Sequence, residues 1–195
     1  VATIISIRSN FPEVQKALNR LADDVGNRAL TRAMNRTVEQ GRTQMARQIS
    51  TDYRIKVRDA RDRLFVWRAR AKPGQLVFEA ALEATRRGQG RSMNLIGFVT
   101  SAPRTLKSGK KTQIKFQIKR GGGRKQITGA FIGNRGRTVF IRTGAARLPI
   151  KALNTIDVPE MFNARRINDA VRKVMLERFE VNFQREMRAV LGGFA

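Results

Sequence analysis

The chain contains no cysteine and no histidine among its 195 residues. The first absence removes disulfides, thiolate nucleophiles, iron–sulfur clusters and Cys-ligated zinc. The second removes the Ser-His-Asp triad, imidazole metal ligands and the usual general base near neutral pH. Chemistry would have to run on carboxylates, Lys, Ser or the single Tyr. No apolar run approaches the ~20 residues of a membrane span, and Val1 to Asn10 lacks the long apolar stretch of a secretory signal. A cytosolic chain with no membrane partner is therefore expected.

Negative charge is scarce as well. Against 40 Lys and Arg stand 15 Asp and Glu, a formal charge of +25, and the isoelectric point is near 11.9. Self-repulsion of this size disfavours a free monomer with no polyanion nearby. The acids are also unevenly placed: the 73 residues between Glu83 and Asp157 hold none, yet hold seventeen Lys and Arg, so little local pairing can neutralise them. Two loops within that stretch, Pro103 to Lys111 and Gly121 to Lys125, combine Gly and Ser with Lys and Arg. Lys107, Lys110, Lys111, Lys119, Arg120, Arg124 and Lys125 are accordingly the candidates for contact with a nucleic acid or an acidic protein surface. No helix-turn-helix, zinc finger or RNP-type aromatic signature is present, so contact with phosphates would not depend on base sequence.

The patterning predicts an α+β chain forming a single domain over residues 1–195: helices over 10–63, a basic antiparallel sheet with long loops over 64–157, and a long C-terminal helix over 158–191. Asn10, Pro12 and Glu13 form a capping-box-like helix start, with an apolar stripe from Val14 to Val25 and a break at Gly26-Asn27. A second helix follows, with Ala29, Leu30, Ala33, Met34, Val38, Met45, Ala46 and Ile49 on its apolar side. Its flank carries Arg28, Arg32 and Arg36 at helical spacing, either as a solvated edge or as an intersubunit or lumen-facing interface. A short helix is expected over Val57 to Arg63.

Alternation predicts strands over Leu64 to Ala71, Gln75 to Leu82, Asn94 to Thr100, Gln113 to Ile118 and Arg137 to Arg142, joined in one antiparallel sheet. Phe65, Trp67 and Tyr53 could stack on bases, but aromatics at such positions belong more often to a core. The terminal helix from Pro159 places Ile167, Val171, Val174, Met175, Phe179, Phe183, Met187 and Val190 on its apolar face, ending at Gly192-Gly193.

Enzyme signatures are weak. Asp59 and Asp62 are interleaved with Arg58, Arg61 and Arg63, which favours local ion pairs over a divalent cation. In Ser108 to Thr112 the Lys–Thr spacing of a phosphate loop is wrong, and Arg104 stands where its earlier Gly is required. Gly121 to Lys125 lacks the following helix of a nucleotide cradle. A non-enzymatic chain without metal or cofactor is expected.

Two groups of segments resemble the minor tail protein Z (tail completion) family of long-tailed bacteriophages. The first is Ala33-Met34-Asn35-Arg36, then Met45-Ala46-Arg47, Lys56-Val57-Arg58 and Ala60 to Leu64. The second begins at Gly129-Ala130-Phe131-Ile132 and continues through Asn134, Gly136-Arg137, Val139-Phe140 and Arg142. It closes with Arg147-Leu148-Pro149-Ile150, Ile156-Asp157-Val158-Pro159 and Phe162. The resemblance covers about Ala29 to Leu191. It implies a virion component, assembled in the host cytoplasm, at the head-proximal end of the tail, which finishes the tail so that it joins a filled head. Proteins there form rings around the DNA channel, so a homo-oligomer is expected, a hexamer first and a dodecamer as the alternative. Its neighbours would be tail terminator, tail tube or head-connector proteins and packaged double-stranded DNA. Gly129 would permit a tight entry into a core segment anchored by Phe131 and Ile132.

Overall fold

A computed structural model describes residues 3–8, 23–70, 79–84, 93–101, 103 and 113–192. The described elements are β1 (Thr3–Arg8), α1 (Asp23–Asp52), α2 (Val57–Arg61), β2 (Leu64–Trp67), β3 (Glu79–Ala84), a 3-10 turn (Leu95–Phe98), β4 (Val99–Ser101), β5 (Lys115–Phe116), β6 (Lys125–Gln126), β7 (Ala130–Gly133), β8 (Thr138–Arg142), β9 (Ile150–Ala152), α3 (Val158–Phe162) and α4 (Arg165–Leu191). The class is mixed α+β, as the patterning predicts.

The two long helices form the frame. All eight apolar positions predicted from Ala29 to Ile49 are buried on α1, and Ile167, Val171, Met175, Phe179 and Val190 are buried on α4. Each large side chain taken fully out of water contributes about 1.5–3 kcal/mol, so these two stripes dominate the packing. At the crossing the helices approach closely: a Cβ on Gly41 would stand 2.5 Å from the Met175 Sδ. A larger residue at 41 would have to displace the flexible end of the Met175 side chain. A buried polar group crosses the same seam, where Asn182 donates to Thr37 Oγ1 at 2.9 Å and to Gln40 Oε1 at 3.0 Å.

Among the described residues the predicted single sheet is three. Strands pair in the orders β1-β3-β2, β4-β5-β6 and β7-β8-β9, all antiparallel. Strands this short are held mainly by what they pack on: the first sheet packs on α1, the second is hydrogen-bonded to the C-terminal end of α1, and β8 of the third packs on the 3-10 turn. Leu64, Leu82, Phe98, Ile114, Phe116 and Val139 join the helical residues in a common apolar cluster.

Several boundaries differ from expectation. The helix start at Asn10 lies outside the described residues, but Gly26-Asn27 is no break, because α1 already runs through it from Asp23. Tertiary packing outweighs the roughly 1 kcal/mol helix penalty of a glycine. Residues 94–98 form a capped 3-10 turn rather than a strand, because the Asn94 side chain accepts from the Ile96 N–H. The strand placed over Gln75 to Leu82 is described from Glu79 and runs to Ala84, and that over Gln113 to Ile118 is confined to Lys115–Phe116. The terminal helix is interrupted at Asn163 and Ala164: α3 opens with a capping box between Asp157 and Glu160, and α4 restarts at Arg165. The N-terminal strand β1 and the short β6, β7 and β9 were not foreseen.

Phe65 and Trp67 are not core. The alternation of β2 is real, but Leu64 and Val66 face the cluster while Phe65 and Trp67 are 39% and 51% exposed. Apolar residues occupy both faces of this strand, so period alone could not fix which face turns inward. Trp67 donates from Nε1 to Glu83 across the sheet. Tyr53, by contrast, is buried at the end of α1.

Candidate polyanion-contact surface

The β5–β6 hairpin carries four of the seven sequence candidates. Lys119, Arg120, Arg124 and Lys125 are all exposed, as are the glycines between them. Its tip is held at the base rather than loose: Gln117 Nε2 donates to the carbonyls of Arg120 and Gly122, each at 3.0 Å. The hairpin is also docked on the C-terminal end of α1. Arg54 N–H donates to Ile118 O and Arg120 N–H to Asp52 O, and Lys119 bridges Tyr53 in the chain backbone.

This docking divides the candidates. The Arg120 Nε donates to Ser50 O at 2.8 Å, one of the carbonyls that the last turn of α1 leaves without an intrahelical partner. A cation at that position also meets the negative end of the helix dipole. Arg120 is thus a helix-terminating side chain, whereas Arg124 and Lys125 project from the tip. Lys107, Lys110 and Lys111 lie outside the described residues.

Beside the docked hairpin runs a groove of about 600 Å³ whose lining includes the cationic Arg54, Lys56 and Arg120 and the apolar Met93, Ile96, Phe98 and Val99. Asp59 reaches it too, so its charge is partly balanced. Asp62 instead forms the local pair expected of it, with Arg58 at 3.9 Å. The Tyr53 hydroxyl near this end is held above its ordinary 10.0 by burial first and by the neighbouring Asp52 carboxylate second. A phenol so placed stays neutral at physiological pH.

The arginine stripe of α1 lies where the spacing put it. Arg28, Arg32 and Arg36 are all exposed on one flank. Arg36 is engaged within the chain, pairing with Glu186 of α4 at 2.7 Å, which leaves Arg28 and Arg32 as the outward members. Among the described residues no three His, Cys, Asp or Glu side chains gather as a metal site. Nor is any described helix long and apolar enough to cross a membrane.

Sequence reasoning passed over the third sheet as a site. In β7 and β8, Phe131 pairs with Phe140 and Ile132 with Val139. Val139 and Ile132 face the core, so Phe131, Phe140 and Arg142 share the outer face. Phe131 is therefore no core anchor, although Ile132 is. The two rings stack with centroids 5.9 Å apart, and the Arg142 guanidinium lies 4.8 Å above Phe131. Gly129 has φ +78°, which is the left-handed entry that its sequence position suggested.

The matched segments have structural explanations. Asn35 acts like a strand residue: its Nδ2 donates to Ala69 O at 3.1 Å and its Oδ1 accepts from Ala69 N–H at 2.7 Å. Asn94 similarly ties the 3-10 turn to β8, accepting from Val139 N–H at 2.9 Å.

Among the described residues, two packed long helices, three short sheets and an exposed cationic surface define a small α+β fold. The sequence profile of the prophage minor tail protein Z family matches residues 13–192, nearly the whole chain, and the chain belongs to that family. It is a structural protein of the phage tail. No curated protein and no solved structure matches it.

Proposed function

We propose that this chain is a non-enzymatic tail completion or head–tail joining subunit, forming a ring at the neck around the DNA channel. Membership in the minor tail protein Z family carries the reading. The carboxylate-free stretch from residue 84 to 156 supports it, because a subunit lining a DNA channel meets a dense row of phosphates. Arg124 and Lys125 at the hairpin tip, with Lys107, Lys110 and Lys111, face the DNA or an acidic neighbouring ring. Arg28 and Arg32 lie at the contact between copies.

A hexamer matches the tail tube and a dodecamer the portal above it; a closed ring requires a head-to-tail interface between unlike patches. The neighbours are tail terminator, tail tube or head-connector proteins. Phage produced without this chain tests the proposal. Filled heads and separate tails that fail to join support it; joined, infectious particles overturn it. Free chain that coats DNA while virions assemble normally would favour the second reading, a non-specific nucleic-acid-binding protein, to which the +25 charge also lends itself.

A further inference from the structure

The β7–β8–β9 sheet is a second cationic surface, separate from the β5–β6 hairpin. Its β7–β8 turn is rigid: Gly136 N–H donates to Gly133 O and Arg137 N–H to Asn134 O, and Asn134 Nδ2 reaches Thr138 Oγ1. Asn134 and Arg135 both sit at positive φ, +50° and +53°. They belong to a four-residue loop between the paired Gly133 and Thr138, in which Gly136 is also at positive φ, +83°, and arginine is an unfavourable residue at such a position. The chain thus holds a long, exposed cation at a position where glycine would be easier.

The opposite end of β8 carries Arg142, and the loop that follows it carries the exposed Arg147. Thr143 closes the loop there, donating from both N–H and Oγ1 to Pro149 O. Four residue steps along β8 separate the two ends, about 13 Å at ~3.3 Å per residue. A DNA major groove is about 12 Å wide, so the two backbone ends of this strand are spaced to offer arginines to phosphates on both of its sides. Between them the outer face offers the Phe131–Phe140 pair. Those rings stack on each other, and Arg142 covers one of them. Phe131 is therefore covered by both Phe140 and Arg142, which leaves little of it for stacking the bases of a single strand.

We propose that Arg135 and Arg137 at the turn, with Arg142 and Arg147 at the base, form a phosphate clamp for double-stranded DNA, read without regard to base sequence. The inference takes from the function proposed above only that the partner is duplex DNA, and it does not depend on where in the particle the chain sits.

Binding of the full-length chain to a fluorescent duplex, followed by anisotropy from about 50 to about 200 mM salt, tests the clamp. The variant R135A/R137A/R147A should lower the slope of log affinity against log salt by about 2.7, at about 0.9 per lost phosphate contact. The equal-charge control R165A/R172A/K173A, on the exposed side of α4, should lower it by less than about 1. If the triple variant fails to fold, the three single substitutions replace it, each expected to lower the slope by about 0.9. An unchanged slope, or an equal fall in the control, overturns the clamp. So does a triple variant R135A/R137A/R147A that keeps its duplex affinity but loses binding to polyglutamate, which would assign the surface to an acidic protein. Failure here leaves the neck proposal standing, because that is read from particles.

Discussion

Arg63 and Asp157, 94 residues apart, meet in an ion pair of 2.7 Å in which the Asp157 side chain is only 2% exposed. The same carboxylate caps α3, accepting from the Val158 N–H at 2.7 Å, while Glu160 reaches back to the Asp157 N–H. The end of the helical segment and the start of the terminal helices are thereby joined through one buried group. Both residues fall in the segments by which the chain resembles its family, and the pair gives that resemblance a physical basis. Asp157→Ala removes the cap and strands Arg63, which is itself one-third exposed and so partly rescued by water. A loss of about 2–4 kcal/mol in urea unfolding is expected. Arg63→Ala leaves a buried carboxylate without its cation and should cost a similar amount.

Asn35 substitutes for a backbone strand partner at Ala69. Asn35→Asp keeps the acceptor for the Ala69 N–H but sets a carboxylate oxygen against the Ala69 carbonyl. Asn35→Ala loses both bonds. Each variant should lose about 1–3 kcal/mol in urea unfolding, with hydrogen exchange at the Ala69 amide rising in Asn35→Ala and less in Asn35→Asp.

Tyr53 is the chain's only tyrosine, so its ionisation can be followed by absorbance without interference. Burial and Asp52 raise its folded value above 10.0. Since the unfolded phenol ionises first, the unfolded chain binds fewer protons than the folded one once pH passes about 10. The contribution of Tyr53 to stability is complete below that pH and is lost as pH rises from there through the folded value. A native titration midpoint above that of the urea-unfolded chain, and a shallower alkaline loss of stability in Tyr53→Phe, are expected.

The two roles found on the β5–β6 hairpin separate by mutation. Arg120→Ala removes a bond to a terminal carbonyl of α1 and should cost about 1 kcal/mol of stability. Arg124→Ala and Lys125→Ala should stay within about 0.5 kcal/mol. For duplex affinity the order reverses, with the two tip substitutions together lowering the salt slope by about 1.8. Thermal melts and salt titrations on the same three proteins check both halves.

The long helices were legible because each buries a stripe that recurs over many turns; every predicted apolar position from Ala29 to Ile49 is buried. The short strands were not. Lys115–Phe116 and Lys125–Gln126 are two residues each, too few to show a period, and their pairing depends on the α1 terminus beneath them. Leu64 to Trp67 shows the limit differently, with a correct alternation and the wrong face inward. Asn182 on the buried face of α4 could not be found by hydrophobicity, since its partners Thr37 and Gln40 lie on another helix. For the candidate surface, charge counting located the basic stretch but not the division of labour between Arg120 and Arg124. The Phe131, Phe140 and Arg142 cluster was visible only as an apolar alternation until the register of β7 and β8 set the three side by side.

The central claim is the place of this chain in the particle, and a cryo-electron reconstruction of intact virions at the neck reads it directly. The account predicts a closed ring of this chain between tail tube and head connector, with Arg124 and Lys125 turned toward the DNA channel. Density for the chain elsewhere in the tail, or its absence from finished virions, would contradict it.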